Sequence, residues 1–289
     1  MDRAASLFLV IILAAGCSSK PRVVVGSKNF TEQVLLGEIL AQQIERRLRV
    51  PVDRKLNLGG TLLAHQALKS GGIDLYPEYT GTALTAVLER PPSKSAAAAL
   101  AQVREGYRQW KLAWLAPLGF NNSFAMVVRT SEARKEHLQS LSDAAKRRNP
   151  WRLGVGYEFV KRPDGLAGLI ESYRLRIEQP PLTMDLGLLY QALDSGRIEM
   201  AAANATDGAL ARQEFTVLED DLRYFPPYEC AVVVRDTALT QHAGLGAALE
   251  ELSAVISDET MRRMNAAVDR DKRPVAEVAA EFLRAISSR

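Results

Sequence analysis

Hydrophobic positions in this chain fall into two kinds of pattern, short unbroken runs and helical stripes. Val23-Val24-Val25-Gly26 is a fully apolar run of the kind that forms a strand buried on both faces. Downstream, Val34, Leu35, Ile39, Leu40 and Ile44 recur at helical spacing, and Asn29 stands three residues before Glu32. That register predicts an amphipathic helix opened by a capping box. Val50–Leu56 reads as a second strand, ended by Asn57-Leu58-Gly59-Gly60, with Thr61 as the cap of a second helix. Strands and helices in such regular alternation predict an α/β architecture. Pro91-Pro92-Ser93 then breaks the pattern, and an alanine-rich helix follows from Ala96 towards Trp110. Phe124–Arg129 (FAMVVR) and Cys230–Arg235 (CAVVVR) are two further apolar strands, each ending in arginine, with a complete α/β unit between them. Beyond Arg235 the pattern is helical, and this segment is expected to return onto the first part of the chain.

An internal echo organises these elements. Residues 66–73 read QALKSGGI and residues 191–198 read QALDSGRI, identical at six of eight positions. Each copy leads into a strand-like run and then a Thr- and Gly-containing loop, and each is preceded by a short strand ending in glycine. Two similar units in one large sheet would produce this echo, and so would two lobes facing each other across a cleft. The bracketing strands favour the lobes: lobe 1 from 22–126 and 230–289, lobe 2 from 127–229, joined by a two-strand hinge.

At 289 residues the chain has room for two cores. The net charge of +3 is small and Lys146-Arg147-Arg148 is its densest basic run, so a nucleic-acid partner is not indicated. Arg3, the apolar stretch Leu7 to Leu13, and Ala14-Ala15-Gly16 before Cys17 form a secretion signal. The segment resembles a bacterial lipoprotein signal, although Ala14 stands where a larger aliphatic residue is usual. Cys17 is then the acylated first residue, 18–21 a tether, and the protein is anchored by lipid on the extracytoplasmic side of a membrane. Cys230 is left without a partner and, in its apolar run, reads as an inert buried thiol.

Seven motifs occur in order: GSKNFTEQ (26–33), LNLGGT (56–61), DLYPEYTGT (74–82), FNNSF (120–124), EFVKRPDG (158–165), ATDG (205–208) and FPPY (225–228). Together they resemble the substrate-binding proteins of osmoprotectant ABC importers, the binders of glycine betaine, carnitine and choline. The resemblance covers essentially the whole chain after the signal. It implies a type II periplasmic-binding fold with the ligand in the cleft, its quaternary ammonium among aromatic faces and its carboxylate on cationic and hydroxyl groups. By that resemblance Lys28 and Arg162 are the carboxylate-binding cations, Thr82 a hydroxyl donor, and Tyr79 and Tyr228 two faces of the aromatic cage. Lys28 also lies between a strand end and a helix start, where backbone N–H groups favour an anion. Phe124 stands at a third cage position without the hydroxyl. Asn204 stands at the fourth with no ring, so it either weakens the cage or hydrogen-bonds a different ligand.

No nucleophile elbow, zinc helix or CxxC pair is present, and His65, His137 and His242 lie in unrelated contexts. The sequence therefore predicts a monomeric binding protein without enzyme activity, metal or cofactor. It would deliver a quaternary-ammonium or zwitterionic solute to permease subunits. The alternatives are a different zwitterion, ergothioneine- or amino-acid-like, and a sensory binding module.

Overall fold

The computed structural model describes residues 22–287, which form ten strands in two five-stranded sheets. In chain order the strands are β1 (Val23–Gly26), β2 (Val52–Lys55), β3 (Leu75–Tyr79), β4 (Leu112–Asn121), β5 (Phe124–Arg129), β6 (Leu153–Val155), β7 (Leu182–Thr183), β8 (Met200–Asn204), β9 (Phe215–Leu218) and β10 (Glu229–Arg235). The first sheet has the order β2-β1-β3-β10-β4 and the second β7-β6-β8-β5-β9. In each, the first three strands run parallel and the fourth joins antiparallel. The sheets are thus the same construction twice, with β1, β3 and β10 matched by β6, β8 and β5.

The echo occupies equivalent places in the two copies. Helix α2 (Thr61–Lys69) leads through Ser70-Gly71 into β3, and the helix Leu189–Asp194 leads through Ser195-Gly196 into β8. Gly71 and Gly196 both take positive φ, 78° and 71°, which explains a glycine at this position in each copy. Ile73 N donates to Ala67 O and Ile198 N to Ala192 O, each at 3.2 Å. The arginines that end the two apolar runs hold these turns. Arg235 pairs with Asp74 at 3.2 Å, and Arg129 donates to the carbonyls of Leu193 and Ile198.

The unbroken apolar runs are strands covered on both faces. In β10, Cys230, Val232 and Val234 face one core with Leu35, Ile39, Leu249 and Phe282. Ala231 and Val233 face another with Tyr76, Tyr107 and Trp114. In β5, Met126 and Val128 divide in the same way from Ala125 and Val127. The helices after Arg235 return as expected onto α1 (Thr31–Leu48) and the first sheet, placing Met261, Val278 and Leu283 in its core.

The chain leaves the first sheet after Asn121, enters the second at Phe124, and returns between Leu218 and Glu229. β5 pairs as a whole in the second sheet, so a boundary drawn after residue 126 would cut it. The strands beside the two crossings, β5 and β10, lie in different sheets and do not pair with each other. The second strand is shorter than the Val50–Leu56 expected. The alanine-rich helix runs Ala96–Tyr107 and finishes in a tighter turn at Arg108–Trp110. Cys17 and the leader lie outside the described residues, and no described helix is long and apolar enough to cross a membrane.

Candidate functional site

The strands of both sheets end on a cavity of about 930 Å³ between the lobes. Lys28, Tyr79, Thr82, Phe124, Arg162, Asn204 and Tyr228 all line it. Lys28 follows β1, Tyr79 ends β3 with Thr82 just beyond, and Asn204 ends β8. Phe124 opens β5, and Tyr228 directly precedes β10. Ligands of open α/β sheets bind outside the carboxyl ends of the parallel strands, and this cavity has that position.

Neither cation is a free charge. Lys28 is buried, and its ammonium donates to Glu78 at 2.5 Å and to the Thr61 hydroxyl at 3.1 Å. Glu78 is fully buried and also receives the Tyr76 hydroxyl and the Tyr79 backbone N–H. Arg162 grips Asp164 with two parallel bonds of 2.8 and 2.6 Å, and reaches the Thr82 hydroxyl at 3.1 Å. Burial works against the Arg162 charge, yet the Asp164 carboxylate outweighs it and keeps the guanidinium firmly protonated. Burial, then Asp164, pushes the Tyr228 hydroxyl far above its ordinary range, so it stays a donor, at 2.6 Å from Asp164. A ligand carboxylate would meet two neutralised pairs with a few unused N–H groups, rather than two bare cations.

The rings form two groups. Phe124 meets Tyr228 edge-on with centroids 5.6 Å apart, backed by Phe159 at 4.8 Å. Tyr79 stacks with Phe30 at 6.3 Å. The protein's own cations lie near some of these rings, Lys28 5.0 Å from the Tyr79 centroid and Arg162 5.3 Å from that of Phe124. The sequence reading missed Phe30 and Phe159, although both line the cavity. Phe30 had a signal, since it follows Lys28-Asn29 directly at the end of a parallel strand.

Two helix starts differ from expectation. Helix α1 begins at Thr31 with Phe30 at the cap and no side-chain capping bond. Glu32 does not complete a capping box. Its buried carboxyl turns inward and accepts from Tyr79, Asn122, Thr206 and Asn265. Burial raises its pKa, and the four donors act in the opposite direction. Thr61 is the first residue of α2 rather than its cap, which is Gly60. Its backbone N–H donates at 2.8 Å to Glu158, which reaches across the cleft from the second lobe. At α2 a tertiary partner thus takes the place of a local cap, while at α1 the expected capping carboxyl is drawn into the interior.

Asn204 lies beside Asp207. The Asp207 carboxylate accepts from the Asn204 backbone N–H at 3.1 Å and from the Tyr190 hydroxyl at 2.9 Å. Burial pushes the Asp207 carboxyl up to about 6, despite these donors. The Cys230 thiol is pushed well above its ordinary range by burial, next by Glu32 and Glu78, which suits an inert core residue.

Two matched lobes around a cleft of rings and neutralised cations define a periplasmic-binding-protein architecture. The substrate-binding domain of the ABC-type glycine betaine transport system matches residues 21–285, and the chain belongs to that family. It is 34% identical to a glycine-betaine-binding protein of Pseudomonas aeruginosa, over 94% of this chain and 90% of that one. It is 31% identical to an ergothioneine transport permease/binding protein of Helicobacter pylori over 96% of this chain, spanning only 51% of the relative's length. A solved glycine betaine/carnitine/choline ABC transporter protein superposes with a TM-score of 0.77 at 30% identity, covering 91% of this chain and 98% of that one.

Proposed function

We propose that this protein captures a quaternary-ammonium or betaine-type zwitterionic solute in the cleft and delivers it to the permease of an ABC importer. The observation that carries this reading is the convergence of Tyr79, Phe124 and Tyr228, with Phe30, on one cavity whose cations are already neutralised. An onium gains roughly 0.5–2 kcal/mol from each well-placed ring face. A bare cation in the same space would oppose it. Lys28, Arg162 and Thr82 retain N–H and O–H groups that suit a carboxylate at the other end of a zwitterion. Binding and release, without chemistry, account for the whole arrangement. The lobes are the two sheets with their helices, dividing at Asn122-Ser123 and again within 219–228. Closure about these crossings would trap the ligand, which biases the equilibrium through contacts made only in the closed form.

The leader supports secretion and acylation at Cys17, which would hold the monomer at the extracytoplasmic face of a membrane. A Cys17→Ser variant that is cleaved normally and fractionates unchanged with membranes would sink that part. Asn204 at a cage position favours a second reading, a zwitterion carrying additional polar groups, of the ergothioneine kind. A thermal-shift screen against betaines, choline, carnitine, ergothioneine and amino acids tests the function. A true ligand at 100 times its Kd adds about 2.7 kcal/mol and raises the unfolding temperature. Protection by no quaternary ammonium compound would overturn the proposal.

A further inference from the structure

Asn204 ends β8 and pairs directly with Phe124 of β5, so the two side chains stand side by side on one face of the sheet. Both line the cavity. The orientation of the Asn204 amide is set from behind. Asp207 Oδ1 lies 3.4 Å from Asn204 Nδ2, and Asp207 Oδ2 is held by the Asn204 backbone N–H and the Tyr190 hydroxyl. A carboxylate only accepts, so the amide must turn its NH2 group towards it and its carbonyl oxygen away. Among the described residues no donor reaches Asn204 Oδ1. The ring that Asn204 neighbours is therefore accompanied by an acceptor that Asp207 orients.

Resting on the quaternary-ammonium reading above, we propose that Asn204 selects ligands carrying an O–H or N–H donor beside the onium centre. Asp207 is the positioning residue that makes Asn204 an acceptor rather than a donor. A trimethylammonium group has no polar hydrogen, so the acceptor is satisfied only by a donor elsewhere in the ligand. Choline has such a hydroxyl two carbons from its nitrogen. Glycine betaine has no donor at all to offer this acceptor. Seating a donorless ligand there removes water from the Asn204 oxygen and returns nothing. The neutralised Lys28 and Arg162 work in the same sense, since neither rewards a carboxylate as a bare cation would.

Calorimetric titration of the purified protein with choline, choline O-methyl ether and glycine betaine tests this, because the ether keeps the charge and skeleton while removing the donor. Choline should bind about three- to tenfold more tightly than the ether, the range of one hydrogen bond, and more tightly than glycine betaine. Asn204→Leu should abolish the choline–ether difference by weakening choline alone. Asp207→Asn can accept or donate and so frees the amide to turn, which should shrink the same ratio towards one. A merely structural role for either residue would weaken both ligands equally and leave the ratio unchanged. Equal affinity for choline and its ether in the parent protein overturns the proposal, as does tighter binding of glycine betaine than of choline. Binding of no onium compound removes the functional reading itself, and this inference with it.

Discussion

At the scale of single residues the cleft is organised by buried carboxylates as much as by the cations that the sequence singles out. Asp164 shows this, because it accepts from Arg162 twice and from Tyr228. Arg162→Ala would leave that carboxylate buried and uncompensated, a loss of about 3–5 kcal/mol for a broken buried pair. Denaturant titration should therefore find Arg162→Ala far less stable than the paired Arg162→Met/Asp164→Leu variant. Equal losses would show that the pair is not coupled. Asp207 gives a pH signature. Its folded pKa of about 6 exceeds the roughly 3.9 of an unfolded aspartate, so the folded state binds the proton more readily. Its contribution to stability is thus full below pH 4 and is lost as pH rises towards 6, by about 2–3 kcal/mol. Asp207→Asn should remove that slope, leaving the variant's stability relative to the parent better at pH 7 than at pH 4. An unchanged difference between the two pH values would contradict the assignment. Asp164, two residues from Arg162, is a partner that the sequence offers, whereas Glu78, fifty residues from Lys28, is not. Lys28 and Arg162 stand in recognisable motifs, whereas their neutralisation depends on where Glu78 and Asp164 point.

At the scale of elements, the legible part was whatever the pattern itself enforces. Buried strands announced themselves as unbroken apolar runs because β5 and β10 place successive residues in different cores. The repeated Ser-Gly turn was legible because its geometry demands positive φ in both copies. Helix starts were misread, since Asn29 and Thr61 have capping chemistry but Phe30 and Gly60 hold the cap positions. The start of α2 is served by Glu158, 97 residues away in sequence and on the opposite lobe. A cap that bridges the cleft can form only when the lobes approach. Glu158→Ala should therefore act on closure, weakening ligand binding by about 1 kcal/mol, the usual contribution of a cap. Calorimetry would register about a fivefold higher Kd with the unfolding midpoint of the ligand-free protein little changed. A large loss of ligand-free stability with unaltered Kd would assign Glu158 to the fold instead.

At the scale of the whole molecule, one construction used twice explains both the echo and the placement of the site. The carboxyl ends of two equivalent sheets face one another, and residues near those ends supply Lys28, Tyr79 and Thr82 from one side and Asn204 from the other. Other contacts between the lobes accompany the Thr61–Glu158 bond. Thr206 reaches Glu32, Arg262 donates to the Ala205 carbonyl at 2.9 Å, and Asn265 donates to the Thr206 carbonyl at 2.8 Å. The spatial convergence of distant motifs was anticipated by their family resemblance. The ring of Phe159 was not, because only the folded chain brings it to the cavity.

If this cleft holds an onium among its rings, a crystal structure grown with choline will show it there. The ligand nitrogen should lie within about 6 Å of the centroids of Phe124, Tyr228 and Tyr79, enclosed by both lobes. A choline-saturated crystal with an empty cleft, or with the ligand seated outside these rings, would contradict it.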